Sequence, residues 1–160
     1  MNGAFRPGRH LVRNVGSGLL LEVYGGARGS GAVVQLAAET GAAAQQWLIE
    51  PVPGGSGLHH FVNAASGKRL DVTGASTENG ARIQQWRANN FGAQEWIIES
   101  HVDAPGTVAV VSFVSGLLLE AEDGGADGGG TGPGARVRQW EDTDSPAQQW
   151  RLEPCAADPA

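Results

Sequence analysis

Gln45-Gln46-Trp47-Leu48-Ile49-Glu50 returns as Gln94-Glu95-Trp96-Ile97-Ile98-Glu99, and again as Gln148-Gln149-Trp150-Arg151-Leu152-Glu153. A Gln-x-Trp motif with an apolar-acidic tail, repeated at long and nearly even spacing, describes one unit built three times. Other markers keep the same phase. Ser17-Gly18, Ser66-Gly67 and Ser115-Gly116 recur 49 residues apart, as do Leu21-Glu22, Leu70-Asp71 and Leu119-Glu120. His10 matches His59, and Asn14 matches Asn63. The motif tryptophans are separated by 49 and then 54 residues, so the third unit carries five extra residues. They fall in Asp123 to Gly134, a stretch of Gly, Asp, Thr and Pro that cannot bury apolar surface and is expected to be a solvated loop. A unit of this size is too small to fold alone and must share a core with its copies.

Inside the second unit the apolar-bearing runs are short: His59 to Asn63, Arg69 to Val72, Ala81 to Trp86 and Gln94 to Glu99. Ser66-Gly67-Lys68 between the first two reads as a tight turn, and Gly74 to Gly80 separates the next pair. No window repeats apolar residues at helical spacing over three turns, and short runs punctuated by Gly favour strands. Four strands in each of three units give about twelve. A closed threefold barrel suits that number, because closure removes sheet edges.

The 160 residues are read as one domain, with an N-terminal extension over 1–9, repeats at 10–58, 59–107 and 108–154, and a tail from 155. The 25 glycines suit a turn-rich β protein. A formal net charge of −6, with 11 scattered basic residues, argues against nucleic acid, whose phosphates need clustered Lys and Arg. Cys155 is alone, so no intrachain disulfide is available. One Cys and the scattered His10, His59, His60 and His101 do not make a zinc site, and no metal or cofactor is expected. Met1 to His10 lacks the apolar segment of a signal peptide. The chain is therefore expected to be cytoplasmic, or exported with its signal removed. Nothing approaches the roughly 18 apolar residues of a spanning helix, so no membrane insertion is expected.

Three Gln-x-Trp motifs in phase, with Ser66-Gly67 leading to Leu70-Asp71-Val72 and then Ile83-Gln84-Gln85-Trp86, resemble the ricin-type β-trefoil lectins, which overlap with carbohydrate-binding module family 13. The resemblance covers about His10 to Glu153. It implies an all-β β-trefoil with one shallow sugar pocket available per repeat. It further implies a role for each motif residue. The Asp accepts hydrogen bonds from two adjacent sugar hydroxyls, and the Gln of the Ile-Gln-x-Trp strand assists. The Trp of that strand lies under the sugar ring, an Asn just before Gln-x-Trp often adds a contact, and the Gln of Gln-x-Trp braces the Asp from behind. The chemistry is general. A carboxylate takes two hydroxyl donors in strong charge-assisted bonds, and the C–H face of a pyranose lies well on an aromatic ring. The intrarepeat disulfide of the family is missing: its places hold Arg69 and Ala88, Leu20 and Glu39, and Leu118 and Asp142.

Carried onto this chain, the second repeat keeps the most. It has Asp71, Gln84, Trp86 and Gln94, with Gln84 and Trp86 two apart and therefore on one face of a strand. The contact Asn is replaced by Ala93, and Asn89 or Asn90 stands as its substitute. The bland alternative is that Asp71 caps a turn and Trp86 only packs. In the first repeat Glu22 replaces the Asp, Gln35 is kept, and the platform position is Ala37. Tyr24, of the same parity as Glu22, offers a replacement ring. In the third repeat Glu120 and Trp140 are joined by Arg138 where Gln is expected. Arg138 can fork onto Glu120 and use up the carboxylate, and the long loop adds Asp123 and Asp127. Trp47, Trp96 and Trp150 are read as core, with Leu21, Leu70, Leu119, Ile49, Ile98 and Leu152. His10 and His59 are read as scaffold.

The leading expectation is a non-catalytic lectin module for galactose, N-acetylgalactosamine or a β-linked polysaccharide such as xylan. It would act as a homo-oligomer or fused to a catalytic domain, because one shallow pocket is weak. The second is a protein-interaction or inhibitor trefoil with decayed sugar sites, supported by Glu22, Ala37 and Arg138. A glycosidase needs paired carboxylates about 5–9.5 Å apart. Glu22, Asp71 and Glu120 are separated by the threefold repeat and cannot pair.

Overall fold

The computed structural model describes residues 8–54, 56–122 and 133–155. These form twelve strands: β1 (Gly8–Asn14), β2 (Leu20–Val23), β3 (Val34–Ala37), β4 (Trp47–Pro51), β5 (Leu58–Asn63), β6 (Arg69–Val72), β7 (Ile83–Trp86), β8 (Trp96–Ser100), β9 (Val108–Ser112), β10 (Leu118–Ala121), β11 (Val137–Trp140) and β12 (Trp150–Pro154). Each repeat contributes four strands, and the fold is a β-trefoil. Within a repeat the first strand pairs with the fourth, as in β1 with β4, β5 with β8 and β9 with β12. The fourth also pairs with the first strand of the next repeat, β4 with β5, β8 with β9 and β12 with β1. These six strands close on themselves as a barrel. The middle strands form three hairpins, β2–β3, β6–β7 and β10–β11, tied to one another by the bridges Val33 to Gln84, Gln35 to Arg136 and Arg82 to Arg138.

Side chains explain why the units cannot stand apart. Trp47, Trp96 and Trp150 are fully buried in one core with Leu21, Leu70 and Leu119. Further threefold sets join them: Val12, Phe61 and Val110; Val23, Val72 and Ala121; Val34, Ile83 and Val137. Ile49 is fully buried, whereas Ile98 and Leu152 are only partly buried against the core. Each motif indole N–H also donates to a backbone carbonyl, Trp47 to Leu21, Trp96 to Leu70 and Trp150 to Leu119, at 3.0–3.1 Å. Buried Asn14 and Asn63 donate into other repeats, to the Ala147 and Ala44 carbonyls. The His10 and His59 rings sit against the Gly8 and Gly57 carbonyls, and burial holds both below the ordinary histidine pKa.

The turn after each first strand needs a left-handed residue, and Gly18, Gly67 and Gly116 supply it at φ 75°, 76° and 74°. Their N–H groups close the turn on Asn14, Asn63 and Ser112. The fourth run of the second repeat starts later than expected. Gln94 belongs to a 3-10 turn, Gly92–Gln94, that precedes β8. Among the described residues no helix is long and apolar enough to cross a membrane.

Candidate functional site

Register decides what faces what. β6 and β7 pair Asp71 opposite Gln84 and Arg69 opposite Trp86, and the strand alternation that buries Ile83 and Gln85 turns Gln84 and Trp86 outward. The Asp71 carboxylate is held on both oxygens. Gln84 Nε2 donates to Oδ1 at 3.1 Å and Gln94 Nε2 to Oδ2 at 3.0 Å. Asp71 is only 5% exposed. Burial raises its pKa, and the Gln84 and Gln94 donors work against that rise.

Gln94 is fully buried and does not reach the surface. Its amide is spent on the frame: Nε2 also donates to the Arg87 carbonyl at 2.8 Å, and Oε1 accepts from Asn89 N–H at 3.1 Å. It fixes Asp71 and the following loop rather than meeting a ligand. Arg69 strengthens the same loop, donating from Nη1 to the Asn89 carbonyl at 3.2 Å. Arg69, which holds one of the two places of the missing disulfide, thus straps strand to loop.

A cavity of about 480 Å³ opens over these groups, lined by Asp71, Gln84, Trp86, Asn89 and Phe91, with Thr73, Gly74, Ala75 and Ala93. The structure therefore brings Asp71, Gln84, Trp86 and Asn89 together. Asn90 is exposed and does not line the cavity. Behind Trp86 stands the first repeat. A Cβ on Gly31 would lie 3.6 Å from the indole, Gly31 N–H bonds the Gln85 carbonyl, and Arg87 N–H bonds Ser30 Oγ. The platform is thus a joint product of two repeats. The same arrangement recurs where Gly80 meets Trp140 at 3.6 Å.

The counterparts differ in what the carboxylate is given. In the first repeat Glu22 accepts from Gln35 at 3.3 Å and from Gln45 at 2.9 Å, but Ala37 stands where the second repeat has Trp86. Tyr24 does not continue the strand. It starts a 3-10 turn, Tyr24–Gly26, so the alternation that would give it the parity of Glu22 does not apply; its side chain stands 63% exposed in the place of Thr73. In the third repeat Gln148 donates to Glu120 Oε1 at 2.9 Å and Arg138 Nε to Oε2 at 2.6 Å. Arg138 makes this contact through one nitrogen rather than a fork, and its guanidinium lies 4.3 Å over the Trp140 ring. A cation on the indole face and an ion pair on the carboxylate occupy what a ligand would use. Asp123 and Asp127 lie outside the described residues. Among those described, no cluster of His, Cys, Asp and Glu is arranged to hold a metal.

Phe91, Thr73 and the Gly74–Ala75 wall escape strand-pattern reasoning, because they lie in irregular segments. One signal was available for Phe91. Its threefold mates are Ala42 and Ser145, so a large apolar side chain interrupts a polar loop in one repeat only.

The comparisons agree with the fold. The family model described as ricin-type beta-trefoil lectin domain-like matches residues 4–86, 51–131 and 92–158. Among solved structures, the designed threefold-symmetric protein ThreeFoil has a TM-score of 0.84 at 31% identity, over 92% of this chain and 99% of that one. An exo-beta-1,3-galactanase from Clostridium thermocellum has a TM-score of 0.80 at 28% identity, over 92% of this chain but 30% of the enzyme. The ricin B-like lectin of Macrolepiota procera, solved in complex with lactose, has a TM-score of 0.79 at 19% identity over 95% of this chain and 99% of that one, which shows the shared fold. No curated protein matches the chain.

Proposed function

The chain belongs to the ricin-type β-trefoil lectin domain-like family, and from that premise we propose that it is a non-catalytic carbohydrate-binding module with one working pocket, in the second repeat. One observation carries the reading: the Asp71 carboxylate, fixed by Gln84 and Gln94, and the Trp86 ring line the same cavity. Two vicinal hydroxyls bridge to the carboxylate while the C–H face of the ring rests on the indole. Asn89 takes the outer polar contact. The first repeat has Ala37 at the platform position and the third has Arg138 on its carboxylate, which supports one sugar site per chain. Galactose-type sugars come first and xylan-type glycans second. The likeness to a galactanase, of which this chain spans 30%, supports that order and also supports a role as a targeting module fused to an enzyme. In the absence of such a fusion, avidity comes from oligomers.

The test is a calorimetric titration of the full chain with galactose and xylobiose. The wild type is expected to bind one of them at one site per chain, and Asp71→Ala to weaken that binding at least about tenfold, as loss of charge-assisted bonds requires. Undiminished binding by Asp71→Ala would move the site elsewhere. The occupied third pocket favours one competing reading, a trefoil that binds protein. A blank glycan array together with capture of a single protein partner would decide for it.

A further inference from the structure

The second-repeat cavity has one wall that its counterparts lack. Phe91 lines it and stands 69% exposed, where the other repeats carry Ala42 and Ser145. A phenyl ring left in water forgoes the roughly 1.5–3 kcal/mol that its burial contributes, so packing does not account for it. The backbone that carries it is nevertheless fixed. Phe91 N–H donates to Asn89 Oδ1 at 3.0 Å, and the Phe91 carbonyl accepts from Gln94 N–H at 3.3 Å. The next residue, Gly92, is pressed against the third repeat: a Cβ there would lie 2.9 Å from Val114 Cγ2 and 3.1 Å from the Phe113 ring. The turn therefore holds one station, with the Phe91 ring bordering the cavity.

The cavity has two aromatic walls, Trp86 and Phe91, and a polar floor at Asp71 and Gln84. At about 480 Å³ it falls within the roughly 300–1,000 Å³ of sites that enclose drug-sized ligands. A lone hexose, smaller than such ligands, cannot fill it. Nor does the turn offer a polar contact to the first ring at residue 93, which is a buried alanine. We infer that Phe91 is a specificity residue: it stacks on the second pyranose of a glycan whose first unit sits on Asp71 and Trp86, so that the site selects chains of two or more units over the free monosaccharide. A phenyl ring makes no hydrogen bond and reads the C–H face alone. It selects for length and tolerates variation in the hydroxyls of that second unit. This inference rests on the carbohydrate reading above.

The experiment compares galactose with lactose, and xylose with xylobiose, on wild type, Phe91→Ala and Phe91→Trp by glycan array and calorimetry. For the pair that binds, the disaccharide is expected to be roughly three- to tenfold tighter than its monosaccharide in the wild type, the ratio to fall to about one in Phe91→Ala with the monosaccharide constant within about twofold, and Phe91→Trp to restore it. An unchanged ratio in Phe91→Ala, or equal loss for both members of the pair, overturns the role of Phe91 and leaves the sugar reading standing. Silence of the wild type toward all four sugars removes both.

Discussion

Asp71 is placed at a cost. Burial lifts its pKa above the ordinary 3.8, with the Gln84 and Gln94 bonds as partial compensation. A raised folded-state pKa means that the folded protein holds this proton more tightly than the unfolded chain. The associated stability is fully present below the unfolded pKa and is lost as pH rises through the folded one. At neutral pH the ionised carboxylate is thus a liability to folding. Asp71→Asn is expected to melt at or above the wild-type temperature at pH 7. Gln94 cannot turn, being tied to the Arg87 carbonyl and the Asn89 N–H, but Gln84 can present its oxygen to the new amide. Sugar affinity of the wild type is expected to fall on acidification, beginning above the pH at which an exposed aspartate titrates. A titration series that stays flat down to pH 3.8 would show that this carboxylate is not the acceptor. At this scale Asp71, Gln84, Trp86 and Gln94 were legible, because residue type at a fixed offset within the repeat carries the information. The choice between Asn89 and Asn90 was not, since it turns on which way one loop residue faces.

Short elements set the geometry of the pocket, and they are the ones a pattern does not announce. Strand alternation over Ile83 to Trp86 is visible in sequence, because burial imposes a period of two. The 3-10 turns Tyr24–Gly26, Thr73–Ala75 and Gly92–Gln94 span three residues each and have no period to read. Strand patterning therefore reads Tyr24 and Gln94 into strands, whereas both lie in turns. The turn Gly92–Gln94 has three tasks: it places Gln94 behind Asp71, Phe91 beside the cavity, and its own backbone on Val114 and Phe113. Gly92 is not in the left-handed region, so the demand for glycine there is one of space alone. Gly92→Ala is expected to destabilise the protein by about 1–3 kcal/mol, since the neighbouring side chains have to shift to admit a methyl group. Urea denaturation measures this, and an unaltered midpoint would mean that the Val114 and Phe113 rotamers yield freely.

Across the molecule the pocket and the core are two faces of one motif. Gln94 reaches out to the Asp71 carboxylate, and two residues later Trp96 reaches in, fully buried, with its N–H on the carbonyl of Leu70, the residue before Asp71. Repetition of Gln-x-Trp therefore revealed the threefold barrel and the carboxylate sites together. Contacts between repeats, such as Gly31 behind Trp86 and Gly80 against Trp140, depend on a closure that no single repeat encodes. Because β12 pairs with β1 along five residue pairs, the first and last strands stabilise each other and the three units share one fate. A lesion in one repeat is thus a lesion in all. Trp96→Ala is expected to cost about 3–5 kcal/mol, a large part of the 5–15 kcal/mol that typically separates folded from unfolded domains. It also frees the Leu70 carbonyl in the core. Unfolding should remain a single transition, with tryptophan fluorescence and far-ultraviolet circular dichroism shifting to the same lower midpoint. Two separated transitions in this variant, with the first and third repeats persisting after the second has melted, would refute the common core.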